Sequence, residues 1–466
     1  MAQRTCTYVV PGFHSDVVWL EDQRDYAVSL LGDMHQNLQI LRIDPHYGVF
    51  LHELTYLKPY LDTHPEALPE VRRWIQEGRI GTGGSHSQPT ETVIGGEGIV
   101  RNILYGRWYH EGVLGDQPWI YMPWDVFGHT AQLGQILRKS RFRGCIWSKD
   151  IRGALAVFWH LALDGEPLLF KRMGYWFPSG DPETFLKAID DFFQEMRSLG
   201  FTADCRLDCV DFKPPTAWIA GRCEQLAERE HAVIISGIGH EKWFEHAFRQ
   251  HEERTVSIPV TSRDYEWHHQ GTGLSRIELK IGNRLAEQSL HQAEFFATVA
   301  HLLGAEYPDK ALDKAWRQLL FNQHHDGIAG PSCDRAYLDM MAGFREALEL
   351  AHDVRTRSLR YICDQTDTAY TAPPPSVIAL QVHNALNWKR TDAVRVTLRF
   401  PKPVSGFRIE DSEGNPVPCQ LESPVPPRLP LHEAEVTLLA RDIPAMGFRT
   451  YRVVETDSLP PAPRLI

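Results

Sequence analysis

Short apolar runs alternate with amphipathic segments from residue 1 to about residue 255 of the chain. The apolar runs predict strands at residues 8–10, 119–122, 145–147, 205–210 and 232–235. Two helices can be placed by their capping residues, since Asp181 precedes a helix over 184–199 and Pro215 precedes one that reaches about residue 229. The alternation predicts an α/β domain over residues 1–255, built around a mainly parallel sheet.

Between about residues 256 and 368, the apolar positions recur with the 3.6-residue period of a helix. This pattern predicts three long helices, at residues 278–303, 309–325 and 334–365, which short loops join into a helical bundle domain over 256–368. Trp316, Leu319, Leu320 and Gln323 fall on one face of the middle helix. That face directs the polar residues after Gln323 toward whatever the bundle packs against.

A run of three prolines at 373–375 separates the helices from the last part of the chain. Beyond this run, Val394, Val396, Leu398 and Phe400 alternate with polar residues, which is the pattern of a half-buried strand. We therefore predict a β domain over residues 376–466, in the form of a truncated β-sandwich. The predicted fold class is multidomain, with an α/β domain followed by an α domain and a β domain.

Composition and charge narrow the classes of function. A chain of 466 residues, 43% of them hydrophobic, is long enough for two or three domains. Its formal charge of −11 and its lack of a basic run argue against a nucleic-acid partner, because clustered cations carry the affinity for phosphate backbones. The N-terminus lacks the pattern of a secretory signal, and no segment resembles a membrane span. We expect a cytoplasmic protein without a membrane partner, whose eight scattered cysteines are reduced.

Three separated segments carry side chains that can bind a metal. The first contains His14 and Asp16, the second contains Asp125 after the strand predicted at 119–122, and the third contains His325 and Asp326. A borderline divalent metal prefers imidazole and carboxylate ligands that the fold brings together from distant positions. The three segments together therefore predict a metal-dependent enzyme. The first two segments have structural alternatives, since Asp16 and Asp125 can each sit in a polar turn and His14 can be a structural residue.

The third segment offers two adjacent histidines, His324 and His325. Neighbouring residues on a helix point about 100° apart, so we expect only one of the two to reach the ion. The other histidine, together with Asp326, would then orient the metal-binding one from outside the site.

The motifs are His14-x-Asp16-x-x-Trp19, Asp125-x-Phe127-Gly128-His129 and Gln323-His324-His325-Asp326. In this order and at these separations they resemble the motifs of the retaining α-mannosidases of glycoside hydrolase family 38. Further matches lie at residues 164–165, 211–212 and 271–276, and the resemblance runs from residue 7 to about residue 460. It implies a (β/α) barrel-like catalytic domain, a carbohydrate substrate, and Zn²⁺ or another divalent cation as cofactor.

The resemblance also implies a role for each site residue. The implied metal ligands are His14, Asp16, Asp125 and His325. Asp125 would in addition be the nucleophile, while the metal would bind the 2- and 3-hydroxyls of the mannosyl ring rather than activate water. Trp19 would pack on the sugar.

Two positions stay open at this point. Asp211 is the predicted acid/base residue, but Asp208 lies three residues away, and Asp211 could instead cap the structure near Thr216. Lys149 falls where the family often has an arginine near the nucleophile. It is either a substrate-binding residue that favours ionised Asp125 or a solvated surface lysine.

The chain departs from the family pattern in two places. It has Val17 and Val18 where the family usually has Pro-Gly, and it stops at Ile466 where family members continue through several hundred residues of β structure. The expectation is therefore a fragment, a minimal form, or one half of an enzyme whose missing β domain comes from a second polypeptide or a second copy.

Two other classes of function compete with the α-mannosidase. One is a metal-dependent carbohydrate deacetylase or amidohydrolase, in which the metal would activate water and Asp125 would form no covalent adduct. The other is a carbohydrate-binding subunit that retains the metal pocket without catalysis.

Overall fold

The computed structural model describes residues 4–149, 155–173, 180–209, 211–212, 214–262, 265, 271–368, 376–422 and 429–460. The chain divides into two compact units. Residues 1–288 with 313–349 form the first unit, and residues 289–312 with 350–466 form the second. The domain limits expected at 255 and 368 remain predictions, and the proline run at 373–375 lies outside the described residues.

The first unit contains the alternating strands and helices. Its strands are β1 (Cys6–Pro11), β2 (Val49–Glu53), β3 (Ile80–Ser85), β4 (Ile120–Tyr121), β5 (Gly144–Trp147), β6 (Val157–Leu161), β7 (Pro167–Arg172), β8 (Ala203–Asp208), β9 (Ala232–Ile235) and β10 (Val260–Thr261). Its helices up to residue 252 are α1 (Gln23–Ile43), α2 (Leu54–Thr63), α3 (Leu68–Gln76), α4 (Gly96–Tyr109), α5 (Leu133–Lys139), α6 (Pro182–Ser198), α7 (Cys223–Ala227) and α8 (Gly239–Glu252). Each of the five predicted strands overlaps an observed one.

The strands of this unit pair mainly in parallel. β1 lies between β8 and β9 and is parallel to both, β2 is parallel to β3, and the third sheet has the order β10-β6-β7-β5-β4. Within the third sheet β6 and β7 are antiparallel. Across the described residues these strands form three open sheets, so the α/β prediction is confirmed and the barrel-like arrangement is not. Val9 and Val10 of β1 are fully buried, as expected for a parallel strand covered on both faces.

The two capped helices predicted in this unit have different outcomes. Asp181 caps α6 as predicted, since its side chain accepts a hydrogen bond from the Thr184 N–H at 2.9 Å. The single helix predicted after Pro215 is wrong. A short turn at Ala217–Ile219 is followed by Gly221 at φ +77° and then by α7, because the left-handed glycine interrupts the helical path.

The helices predicted between 256 and 368 are confirmed as elements. They are α9 (Ile277–Leu302), α10 (Asp309–Asn322) and α12 (Asp334–Asp364), with a short helix α11 (His325–Ala329) between the last two. The middle helix ends at Asn322 rather than at 325, because His324 leaves the helix to form a backbone bridge with Pro89. Throughout the described part of the chain, no helix is long and apolar enough to cross a membrane.

The β region belongs to the second unit. Its strands are β11 (Ser376–Asn384), β12 (Arg390–Val404), β13 (Gly406–Glu410), β14 (Cys419–Leu421), β15 (Leu431–Ile443) and β16 (Gly447–Thr456). They pair antiparallel in two sheets, β11-β16-β13 and β12-β15-β14, which share one hydrophobic cluster. The predicted alternation in β12 is confirmed, since Leu398 and Phe400 are buried while Thr397 and Arg399 are exposed.

Candidate metal centre and active site

The first ligand segment continues the line of β1. After Pro11 the chain stays extended, with Gly12 bridging Phe50 and His14 bridging Asp211. The alternation of extended chain allows His14 and Asp16 to face the same side, and the His14 Nε2 atom lies 3.0 Å from Asp16 Oδ1. Both side chains are buried. On the opposite side of its ring, His14 Nδ1 faces the Tyr56 hydroxyl at 3.4 Å.

The second and third segments meet through Gln88. The Gln88 side-chain oxygen accepts hydrogen bonds from the N–H groups of Trp124 at 2.7 Å and Asp125 at 3.2 Å. The Gln88 carbonyl accepts from the His325 N–H at 2.9 Å and from His325 Nδ1 at 3.1 Å. Since Nδ1 donates its proton to this carbonyl, the His325 ring is held with Nε2 directed at the carboxylates.

The three segments place four ligand side chains together. One ligand atom from each of His14, Asp16, Asp125 and His325 lies within 4.8 Å of the other three. The His325 Nε2 atom is 3.2 Å from Asp16 Oδ1 and 3.4 Å from Asp125 Oδ2. Ligand atoms bonded to one ion at about 2.0–2.2 Å are separated by roughly 3–3.5 Å, so these spacings suit a shared divalent cation.

A second observation supports the fit to a cation. His325 Nε2 is buried and, although both carboxylates lie near it, makes no hydrogen bond of good geometry. A buried polar atom without a well-formed hydrogen bond is costly, and an imidazole nitrogen in this position can act as a metal ligand. Two imidazoles with two carboxylates form a mixed nitrogen and oxygen set that accepts Zn²⁺ and several other divalent ions.

The cluster controls the charge of its own members. Burial opposes protonation of His14, but the Asp16 carboxylate outweighs burial and raises the pKa of His14 to about 9. Burial likewise opposes ionisation of Asp125, but the His325 and His14 rings and the Lys149 ammonium lower the pKa of Asp125 to about 2. Asp125 is therefore ionised at neutral pH, and a divalent cation would take the place of the protons on the histidines.

The two candidates for the acid/base residue lie in different surroundings. The Asp211 backbone lies beside His14, with the Phe212 N–H donating to the His14 carbonyl at 2.9 Å. Burial, with the Asp125 and Asp16 carboxylates, raises the pKa of Asp211. Asp208 instead accepts a hydrogen bond from the Thr216 hydroxyl at 2.7 Å and is buried at the end of β8. The contact with Thr216 that was considered for Asp211 is thus made by Asp208, and the acid/base assignment stays a prediction.

The two predicted substrate-binding residues lie beside these carboxyl groups. The half-buried Trp19 ring is stacked with Phe212, at a centroid distance of 6.3 Å and an interplanar angle of 7°. Lys149 contacts the Asp125 carboxylate and lies over the Phe127 ring, 5.3 Å from its centroid. Its side chain is only 17% exposed, so the alternative of a solvated surface lysine is wrong.

His324 is turned away from the cluster that contains His325. Its Nε2 atom lies 3.3 Å from Glu53 Oε1, and both side chains are fully buried. Asp326 lies closer to the ligands, with Oδ2 at 3.9 Å from His325 Nε2. Burial and the nearby Asp16 and Asp125 carboxylates raise the pKa of Asp326. The prediction that a single histidine of the pair joins the cluster is confirmed.

Gln88, Tyr56 and Glu53 were missed because they lie in or just after elements that the pattern did not reveal. Gln88 follows β3, whose sequence Ile-Gly-Thr-Gly-Gly-Ser reads as a loop. A Cβ at Gly83 would stand 2.0 Å from the His52 carbonyl oxygen, so the close approach of β2 and β3 requires glycine there. The Gln88-Pro89 pair, three residues after a glycine-rich segment, was the available signal.

Family models match most of the chain. The model for the glycosyl hydrolases family 38 N-terminal domain matches residues 4–255, and the model for the alpha mannosidase middle domain matches residues 268–362. The first match alone covers more than half of the chain.

Individual relatives are more distant. Alpha-mannosidase 2C1 of Homo sapiens is 23% identical over 423 residues, which are 89% of this chain and 39% of that protein. Alpha-mannosidase G of Dictyostelium discoideum is 24% identical over 372 residues, or 77% and 33% of the two chains. A solved structure of an alpha-mannosidase from Enterococcus faecalis V583 superposes with a TM-score of 0.82 at 18% identity, over 98% of this chain and 57% of that one. The chain thus spans well under half the length of these curated relatives.

Proposed function

Because this chain belongs to glycosyl hydrolase family 38, we propose that it hydrolyses α-mannosidic bonds with retention of configuration, using a bound divalent cation. The observation that carries the proposal is the buried group of two imidazoles and two carboxylates from three distant segments. When bound there, Zn²⁺ or a similar ion would supply Lewis-acid binding of sugar hydroxyl groups. The cytoplasmic location and the need for a partner remain predictions.

The roles of the carboxyl groups follow from their surroundings. Asp125 is held ionised by cationic neighbours, as a nucleophile must be, while Asp211 has a raised pKa that favours the protonated form. A retaining glycosidase needs this pair, one carboxylate to attack the anomeric carbon and one acid to protonate the departing oxygen. In the second step Asp211, now ionised, would accept a proton from water as the glycosyl–Asp125 ester is hydrolysed.

The neighbouring side chains would prepare this chemistry. Lys149 would hold the Asp125 carboxylate in place and keep it charged until it attacks. Trp19, stacked on Phe212 next to Asp211, would offer an apolar face to the sugar ring. Gln88 would fix the backbone before Asp125 and the ring of His325 together.

The first experiment measures metal content and hydrolysis together. The purified full chain, loaded with Zn²⁺, is assayed on an aryl α-mannoside before and after chelation. We expect about one ion per chain, and loss of both the ion and the activity on chelation. A metal-loaded chain that binds mannose but hydrolyses nothing would indicate the non-catalytic carbohydrate-binding subunit instead.

A second experiment separates the glycosidase from a deacetylase. A fluorinated mannosyl fluoride slows the breakdown of a covalent glycosyl enzyme, so mass spectrometry should find the added sugar on the peptide that contains Asp125. The Asp125→Asn variant is the control and should gain no mass. Deacetylation of an acetylated sugar without labelling of Asp125 would support the competing class.

A third experiment tests the acid/base assignment. In Asp211→Asn, kcat should fall by roughly 100-fold or more for substrates with poor leaving groups and much less for activated aryl mannosides, which need little proton donation. The matched variant Asp208→Asn keeps an acceptor for Thr216 and should show no such dependence on the leaving group. The reverse pattern would transfer the role to Asp208.

A further inference from the structure

The start of helix α2 carries two buried polar side chains that the helix itself does not use. Glu53 occupies the capping position, but its carboxylate makes no capping hydrogen bond to α2. Tyr56 lies three residues further on, and the side chains of both residues are buried. A buried hydroxyl or carboxylate is costly without polar neighbours, so the surroundings of these two groups indicate what they do.

The Tyr56 side chain lies along the first ligand segment. Its ring packs on the Phe13 ring, with the two centroids 5.4 Å apart. Its hydroxyl oxygen accepts a hydrogen bond from the Ser15 N–H at 3.2 Å, and His14 Nδ1 lies 3.4 Å from the same oxygen. Tyr56 therefore contacts three consecutive residues of the segment, one of which is a proposed metal ligand.

The hydroxyl can determine which nitrogen of His14 carries the proton. A neutral imidazole has one N–H group and one lone pair, so binding an ion through Nε2 requires the proton on Nδ1. The Tyr56 oxygen is a suitable acceptor for that proton, because a hydroxyl has two lone pairs and the Ser15 N–H occupies one of them. Burial and the nearby Glu53 carboxylate raise the pKa of Tyr56, so the group stays a neutral hydroxyl.

The two imidazole ligands are then oriented in the same way by different acceptors. The Nδ1 atom of His325 donates to the Gln88 carbonyl. For His14, the group that faces Nδ1 is the Tyr56 hydroxyl. Both rings direct Nε2 towards Asp16 Oδ1, which lies 3.0 Å from His14 Nε2 and 3.2 Å from His325 Nε2. We propose that Tyr56 is a positioning residue of the metal centre, which holds His14 in the tautomer and orientation that bind a divalent cation.

Glu53 fixes the start of α2 relative to the third ligand segment. Its Oε1 atom lies 3.3 Å from His324 Nε2, and both side chains are fully buried. The His324 ring packs on the ring of His325, with the centroids 4.1 Å apart. The start of α2 thus contacts the first ligand segment through Tyr56 and the third through Glu53, which restricts the movement of the Tyr56 hydroxyl.

Tyr56→Phe tests this role, because it keeps the ring on Phe13 and removes only the hydroxyl. Loss of an outer hydrogen bond to a metal ligand typically weakens metal binding by 10–100-fold, so the Kd for Zn²⁺ should rise by roughly that factor. The matched control is Tyr60→Phe in the same helix. The Tyr60 hydroxyl lies 3.1 Å from Nδ1 of His35, which belongs to α1 and is outside the four proposed ligands. This control should leave the Kd unchanged.

Two measurements on the full chain give the result. Competition with a chromophoric chelator gives the Kd for Zn²⁺, and the visible spectrum of the Co²⁺-loaded chain reports the ligand geometry. We expect both to change in Tyr56→Phe and neither to change in Tyr60→Phe.

Three outcomes would overturn the inference. The first is a Tyr56→Phe variant that keeps the wild-type Kd and Co²⁺ spectrum, even if urea unfolding shows lower stability, because the role of the hydroxyl would then be purely structural. The second is equal weakening by Tyr60→Phe, and the third is a wild-type chain that binds no metal. The inference rests on the metal centre of the proposed function, but its readout needs no substrate. A chain that binds Zn²⁺ without hydrolysing mannosides would therefore refute only the proposed activity.

Discussion

Two groups of buried charges in the first unit differ in how they are balanced. In the first group, Asp204 accepts from Lys171 Nζ at 2.8 Å and from Arg206 Nε at 2.7 Å, one cation on each carboxylate oxygen. In the second, the proposed metal centre, two carboxylates and two imidazoles converge on one point, with His325 Nε2 left without a good hydrogen bond. In the first group, protein atoms alone balance the charge of the carboxylate. In the second, the imidazole and carboxylate lone pairs point into one shared space.

This difference separates structural from functional burial of charge. The Asp204 group sits in the core, with Lys171 4.4 Å from the centre of the Trp243 ring and the Cys205 N–H also donating to Asp204. We call the Asp204 group saturated, because protein atoms balance all its charges, so replacing a member can only lower stability. We call the proposed metal centre convergent, because its four side chains can bind a cation, so replacing a member should affect metal binding and activity more than folding.

The largest effect is expected from the convergent group. Replacing Asp125 by Asn removes the proposed nucleophile and one ligand, so kcat for an aryl α-mannoside should fall by at least roughly 10⁴-fold. Folding should be little affected, as judged by circular dichroism and urea unfolding. Retention of more than a tenth of the activity would exclude Asp125 as the nucleophile.

The saturated group should respond in the opposite way. Asp204→Asn removes the carboxylate that Lys171 and Arg206 share and leaves buried Lys171 without its counter-charge, which should reduce the free energy of unfolding by about 3–5 kcal/mol. Activity per folded molecule should stay within a few-fold of the wild type. The control is Asp190→Asn, which breaks the partly exposed pair with Arg229 and should cost less than about 1 kcal/mol in urea unfolding. Equal losses in the two variants would remove the distinction drawn here.

Filling the convergent group should stabilise the fold. At a free metal concentration 100 to 1,000 times the Kd, binding to the folded state adds about 3–4 kcal/mol, so chelation should lower the thermal midpoint and Zn²⁺ should restore it. Asp204→Asn should have a lower thermal midpoint than the wild type, but Zn²⁺ should raise that midpoint by the same amount. Asp16→Asn, which lacks a ligand, should show a much smaller one. If chelation does not change the thermal midpoint of the wild type, that result would argue against a bound cation.

Gln88 links two of the three segments of the centre without belonging to the predicted set. Gln88→Met keeps the size of the side chain but removes the acceptor for the Trp124 and Asp125 N–H groups. Loss of such an outer contact typically costs 10–100-fold in metal affinity or activity, and we expect a change in this range. The midpoint of metal titration is the readout that a purely structural role would leave unchanged. The control Gln39→Met alters an exposed glutamine of α1 and should have no effect.

The four side chains of the proposed metal centre could be predicted from the sequence, because their residue types are distinctive and their segments match a known family. Elements with strong periodicity, such as α9 and α12, were also placed within one residue of their observed starts. The glycine-rich β3 was missed, since its conformation is set by the close approach of His52 and Gly237 rather than by an apolar pattern. Gln88 was missed with it. Its role depends on hydrogen bonds with the Trp124 backbone and the His325 ring, more than 35 residues away, which no local pattern contains.

A half-buried carboxyl group sharpens the comparison and gives the smallest expected effect. Glu241 accepts a hydrogen bond from Trp119 Nε1 at 2.8 Å, and its Oε1 atom lies 3.9 Å from His240 Nε2. Burial, with a smaller contribution from Asp116, raises the pKa of Glu241 from its usual 4.5 to about 7. Unlike Asp204 and Asp125, this group keeps its proton up to about pH 7.

The sign of its pH dependence follows from the raised pKa. The folded state binds the Glu241 proton more tightly than the unfolded state, so this stabilisation is complete below about pH 4.5 and is lost as the pH rises through about 7. Glu241→Gln keeps an acceptor for Trp119 and does not titrate. Its free energy of unfolding should therefore be larger relative to that of the wild type at pH 8 than at pH 4.5, by about 2 kcal/mol, as measured by urea unfolding at both values. The exposed neighbour variant Glu245→Gln should show no such change. A difference for Glu241→Gln that is the same at both pH values would mean that Glu241 is ionised in the folded chain, and that burial with one neutral donor suffices to hold a charge there.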